Sequence, residues 1–209
     1  MMERYKKQII ISSLLILCTM LLGIALWNRL PDTIATHFGS DNTPNGWSSK
    51  AFTVFGMPLI MLGLHLFCVF VTLNDPKKKN IGEKMLGLII WMVPVITVGM
   101  MVFLYLNALG MKVDMGMFAY VIMGIVFVSI GNYLPKCKQN YTAGIKIPWT
   151  LNSTENWNRT HRLAGWLYIL CGIAFFANVF FQWTGMLWVV IVVAVVPMVY
   201  SFILYKKGI

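Results

Sequence analysis

The chain has 209 residues, 58% of them hydrophobic and only 11% charged, with a mean hydropathy of +0.72. A soluble domain carries about 25% charged residues, so this sequence lacks the polar surface that a water-facing fold requires. Its formal net charge of +10 would suit nucleic acid if the basic residues formed one patch. They fall instead in separate short segments between apolar blocks, and no direct nucleic-acid binding is expected.

Six apolar blocks come near the roughly 20 residues that cross a bilayer as helix. In chain order they are Ile9–Trp27, Ala51–Leu73, Met85–Leu106, Met115–Gly131, Leu163–Gln182 and Met186–Tyr205, and none contains Asp, Glu, Lys or Arg. The first follows Arg4, Lys6 and Lys7, as a signal peptide would. Its apolar run is longer than a signal h-region and no small-residue cleavage site follows, so a retained span is expected. Pro58, Pro94 and Pro197 are expected to kink their helices. The fifth and sixth blocks are separated only by Trp183-Thr184-Gly185 and must form a hairpin. The fold class is therefore an all-α membrane protein, a polytopic bundle of about six transmembrane helices.

Orientation follows from charge. With the N-terminus inside, fourteen of the seventeen Lys and Arg residues lie on inner segments, and only Arg29, Lys50 and Lys112 lie outside. This positive-inside bias puts both termini in the cytoplasm. The inner basic residues also suit anionic lipid headgroups. Three modules are expected: 1–73, two spans with an outer loop at 28–50; 74–131, two central spans; and 132–209, an inner loop at 132–162 with the C-terminal hairpin.

Chemistry inside the spans is sparse. His65 stands near the middle of the second span, where an ionisable residue signals either a proton or ligand site or a neutral imidazole bonded between helices. Asn178 and Gln182, one turn apart, are expected to join helices. The four cysteines (18, 68, 137 and 171) show no metal spacing and read as free thiols.

The two long loops carry the remaining information. In the first, Pro44-Asn45-Gly46 is a turn signal, while Asp32, His37 and Asp41 match no metal-ligand spacing. A compact loop presenting a surface is expected, with no metal. In the second, Asn152 and Glu155 resemble a capping box for a helix starting near Ser153, on which Glu155 and Arg159 pair. His161 points about 120° away from Arg159 at some 100° per residue, so a shared acid, anion binder and base is not assembled on this helix. No catalytic residues and no cofactor are expected. Trp149, Trp157 and Trp166 are expected at the membrane interface.

Both loops resemble SdpI-type membrane proteins. The first carries Leu30-Pro31, His37-Phe38, Pro44-Asn45-Gly46-Trp47 and Lys50. The second carries Gly131-Asn132, Leu134-Pro135-Lys136, Asn140, Gly144-Ile145-Lys146, Pro148-Trp149-Thr150-Leu151, Trp157 and Thr160-His161-Arg162. Asn42 stands where the pattern often has Gly, Gln139 where Pro is common, and Lys146 where Arg is common. The resemblance implies an immunity protein of the bacterial cell membrane that protects against a secreted peptide toxin, and that also draws a soluble repressor to the membrane. On that reading Pro31, His37, Phe38, Pro44, Gly46, Trp47 and Lys50 face the peptide. Asn132, Pro135, Lys136, Asn140, Gly144, Lys146, Pro148, Trp149, Trp157, Thr160, His161 and Arg162 face the inner partner. The alternative is a small membrane transporter or efflux protein working through His65.

Overall fold

The computed structural model describes residues 2–39 and 41–209, with side chains from Tyr5 onward. The Arg4 side chain, counted above among the inner basic residues, and Ser40 of the first long loop lie outside the described residues. The elements are α1 (Met2–Ala25), β1 (Thr33–Phe38), β2 (Pro44–Ser49), a π-helical turn (Phe52–Gly56) leading into α2 (Met57–Leu73), a 3-10 turn (Lys78–Asn80), α3 (Glu83–Ala108), α4 (Met115–Tyr133) with a 3-10 extension (Leu134–Lys136), the short α5 (Pro148–Asn152), α6 (Thr154–Phe181) and α7 (Met186–Lys206). Among the described residues six helices are long and apolar enough to cross a membrane, and they coincide with the six blocks read from sequence. This is a multi-pass membrane protein.

The chain divides into two compact units, Met1–Phe70 with Ile89–Phe118, and Val71–Leu88 with Ala119–Ile209. In the first, the core gathers Leu30, Ile34, Val54, Met101, Leu104 and Tyr105, with Trp27, Phe38 and Phe55 packed against it. A Cβ on Gly23 would lie 2.5 Å from Tyr105 Oη and 2.8 Å from Val54. That absent side chain lets Tyr105 reach α1, where its hydroxyl donates to Thr19 O at 3.1 Å. Pro58 does not kink a helix interior. It is the second residue of α2, directly after the π-helical turn in which Met57 N–H bonds Phe52 O. A proline lacks the N–H that would return to Val54 O, and a π turn absorbs such an interruption. Pro94 and Pro197 lie within continuous α3 and α7.

In the second unit, α4 and α6 meet backbone to backbone. A Cβ on Gly131 would lie 2.7 Å from Gly165 O, and one on Gly172 would lie 2.8 Å from Gly124 O. Small residues permit this approach where apolar burial between helices offers little drive in lipid. Phe176 lies over Gly124 and Val128 over Gly172, and the Phe127 and Phe175 rings stack at 5.6 Å. The expected α6–α7 hairpin is present. Asn178 closes it by accepting from Trp183 N–H at 2.7 Å and donating to Trp183 O at 3.1 Å, so it secures the turn rather than a facing helix.

Candidate functional site

The first long loop is a β-hairpin, a feature that the all-helical expectation did not include. Its strands pair antiparallel, with Ile34 opposite Ser48 and Ala35 opposite Trp47, and the register slips around His37. The turn does not lie at Pro44-Asn45-Gly46, which belong to β2. It closes earlier, where Gly39 N–H bonds Thr43 O and Asn42 adopts the left-handed conformation at φ 61°. The Asp41 carboxylate accepts both the backbone N–H and the hydroxyl of Thr43, and these bonds hold it below the usual carboxylate range. Pro44 can then start β2, a position where its missing N–H is tolerated.

One face of the hairpin is fixed to the core through Ile34 and Phe38. Its ends are clamped by Lys50, whose ammonium donates to Leu30 O at 3.0 Å and lies 3.1 Å from Asp32 Oδ1 and 5.1 Å from the Trp27 ring centroid. The charge of Lys50 is thus spent inside the loop. The other face is open. Pro31, His37 and Pro44 are exposed, Trp47 is 61% exposed, and His37 Nδ1 meets Asn45 Oδ1 across the strands. Gly46 is needed under His37, because a Cβ there would sit 2.9 Å from the His37 Cβ. Asp32, His37 and Asp41 each have a different partner and are not brought together.

The second long loop is folded inward to an extent the sequence did not suggest. Asn140 is fully buried; its Oδ1 accepts from Thr142 and Ala143 N–H, and its Nδ2 donates to Lys138 O and Ala143 O. The Trp157 indole, also fully buried, donates to Cys137 O at 2.8 Å. His161 Nδ1 donates to Trp157 O at 2.7 Å, its Nε2 accepts from Ile145 N–H at 3.0 Å, and its ring stacks on Trp157. Both nitrogens are therefore satisfied by backbone. Gly144, at φ 123°, passes so close that a Cβ would lie 2.4 Å from His161 Nε2. Thr160 donates to Asn156 Oδ1, which also accepts from Ser201.

Three residues for which sequence suggests no role, Asp75, Asn80 and Gln139, hold this loop to 74–80. Buried Asp75 accepts from Lys77 N–H, Tyr141 N–H and the Thr142 hydroxyl at 2.6 to 2.9 Å. Gln139 accepts from Lys77 Nζ and donates to Thr150 O and Leu151 O, and Asn80 donates to Gln139 O. The available signal was a lone acid before proline, Asp75-Pro76, at the head of a lysine run. The α6 cap differs from the expected Asn152–Glu155 box: Ser153 is the N-cap and accepts from Asn156 N–H, because Asn152 closes α5. Glu155 and Arg159 do pair, at 2.5 Å on an exposed face.

Of the residues assigned to the inner surface, Asn132, Pro135, Lys136, Lys146, Pro148 and Arg162 are exposed. Gly144 is half-buried, and Trp149 is half-buried against Phe202 and Tyr205 of α7. Trp166 is exposed on α6, whereas Trp157, expected at the interface, is fully buried. His65 is fully buried, with Nε2 3.0 Å from Ser12 Oγ. The same hydroxyl lies 3.0 Å from Ile9 O, and no partner for Nδ1 is present among the described residues.

The SdpI/YfhL protein family matches residues 136–203, and a domain of unknown function (DUF1648) matches residues 14–62. The two matches fall on the inner loop with its helical hairpin and on the first two spans with the β-hairpin. The Immunity protein SdpI of Bacillus subtilis (strain 168) is 26% identical over 209 residues, covering 96% of this chain and 97% of that protein. No solved structure matches. With both loop signatures in order and a relative aligned over nearly its whole length, this chain is similar to SdpI-type membrane proteins from its first span to its last.

Proposed function

We propose that this chain is a membrane immunity protein that protects its cell against a secreted antimicrobial peptide. The observation that carries the reading is the similarity to an immunity protein along nearly the whole of both chains. On this reading both termini are cytoplasmic, as the distribution of Lys and Arg favours. The module 1–73 then presents the open hairpin face around His37, Pro44 and Trp47 to the peptide. The module 132–209 presents Lys136, Lys146, Arg162 and their exposed neighbours to anionic lipid and to a soluble repressor recruited from the cytoplasm, while residues 74–131 connect the two. The buried members of the inner set, Asn140, Trp157, Thr160 and His161, support that surface from beneath. No catalytic step is part of the proposal.

Expression in a peptide-sensitive strain is expected to raise survival against the cognate peptide; unchanged killing across a panel of candidate peptides would overturn the reading. The Nδ1 of His65, which has no partner among the described residues, favours a second reading, a small transporter. His65→Gln can keep a hydrogen bond to Ser12 and is expected to leave protection intact. Lost protection by a variant that still expresses and unfolds normally would favour the transporter.

A further inference from the structure

We propose that the first long loop is a detachable cap on α4, with Asn42 as the positioning residue that joins them. The inference goes beyond the immunity reading and does not depend on it. A helix begins with N–H groups that have no intrahelical acceptor, and at the edge of a bilayer such groups are costly to leave unpaired. In α4 they are divided between two acceptor residues, Asp114 and Asn42. Asp114, the residue before the helix, accepts from Met117 N–H at 2.8 Å through Oδ1, and its carbonyl accepts from Phe118 N–H at 3.1 Å. The first two N–H groups, of Met115 and Gly116, point instead to Asn42 Oδ1 at 2.9 and 3.3 Å. The acceptor is 73 residues away in sequence and belongs to the hairpin tip, within the same compact unit.

The tip is shaped to deliver that amide. Asn42 sits at φ 61°, a conformation that Asn tolerates better than most residues, and the Asp41–Thr43 bonds hold the turn on either side of it. Glycine at this place would keep the turn and lose the acceptor. The rest of the hairpin is seated by buried Ile34 and clamped by Lys50, so the cap is in place only while the hairpin is. Whatever lifts the tip, including a peptide engaging the open face, removes two of the hydrogen bonds that order the start of α4. That helix runs unbroken to Tyr133, where the second long loop begins.

The test is amide hydrogen exchange of the full chain in lipid nanodiscs, read at Met115 and Gly116. Asn42→Gly is expected to speed exchange at these two amides about five-fold, the equivalent of a typical lost cap of about 1 kcal/mol, with Met117 unchanged because Asp114 holds it. Asn42→Asp, which retains an acceptor and the turn, is expected to match the wild type. Lys50→Ala, which loosens the hairpin base without touching Asn42, is expected to raise the same two rates. Unchanged exchange in Asn42→Gly, failure of Asn42→Asp to restore it, or normal rates in Lys50→Ala would each overturn the proposal.

Discussion

His161 shows how a residue that looks chemical from sequence becomes structural once its surroundings are known. Its neighbours in sequence suggested an acid, a cation and a base, yet Glu155 and Arg159 face solvent while His161 turns inward and bonds backbone with both nitrogens. Removing the ring leaves the N–H of half-buried Ile145 without its acceptor, and a fully buried donor so orphaned costs about 1–3 kcal/mol. His161→Ala is therefore expected to lower the thermal midpoint in detergent. Gly144→Ala should do the same, since its φ is left-handed and its Cβ would strike the imidazole. An unchanged midpoint for both would refute this account of the signature. The helical period made the divergence of His161 from Arg159 legible; the partner of each nitrogen was not, because Ile145 lies 16 residues away in irregular chain.

Cys137 offers a second test at the same scale. Its side chain is 3% exposed, and burial pushes the thiol above its ordinary pKa. Only the thiolate reacts with maleimide, and a raised pKa leaves less thiolate at any given pH. Labelling of the folded protein at neutral pH is expected to be slow from either side of the membrane. It should accelerate as the pH rises and become complete once SDS unfolds the chain. Fast labelling at neutral pH in native lipid would show that the loop opens.

At the scale of elements, α4 and α6 approach closely at two points within the second unit. Gly124 and Gly131 are seven residues apart, as are Gly165 and Gly172, so two close approaches recur along one seam. That equal spacing is present in the sequence, but hydropathy finds spans and does not rank their faces. Pro135 completes the seam, with its ring where a Cβ on Gly165 would have to go. Gly131 and Pro135, two residues of the signature that resembles the family, therefore have a packing role. Gly131→Ala and Gly165→Ala are each expected to destabilise by about 1–3 kcal/mol through overpacking. Gly63→Ala on α2, where a Cβ meets nothing within 4 Å, should be neutral or mildly stabilising. Thermal unfolding of the three variants in one detergent checks the contrast, and equal effects would refute it.

At the scale of the molecule, six spans were legible because a bilayer imposes length and apolarity on every crossing helix, and both long loops were visible as what remained. Their interiors were less so: a hairpin tip that caps a helix 73 residues on, or a buried aspartate that ties two segments together, follows no local period. Orientation is the property that links these loops to their proposed partners, and it needs probes that are exposed, which Cys137 is not. Thr33 on β1 and Lys138 in the second long loop are both exposed, and in a background with all four cysteines replaced each can carry a single thiol. With the N-terminus inside, Thr33→Cys is expected to react with a membrane-impermeant maleimide on intact cells. Lys138→Cys should react only after the membrane is permeabilised. The two sites must also report opposite faces, because three spans separate them. Reversed labelling would turn the basic residues outward against the charge rule. It would also move the open hairpin face away from any secreted peptide and so remove the geometric basis of the proposed immunity role.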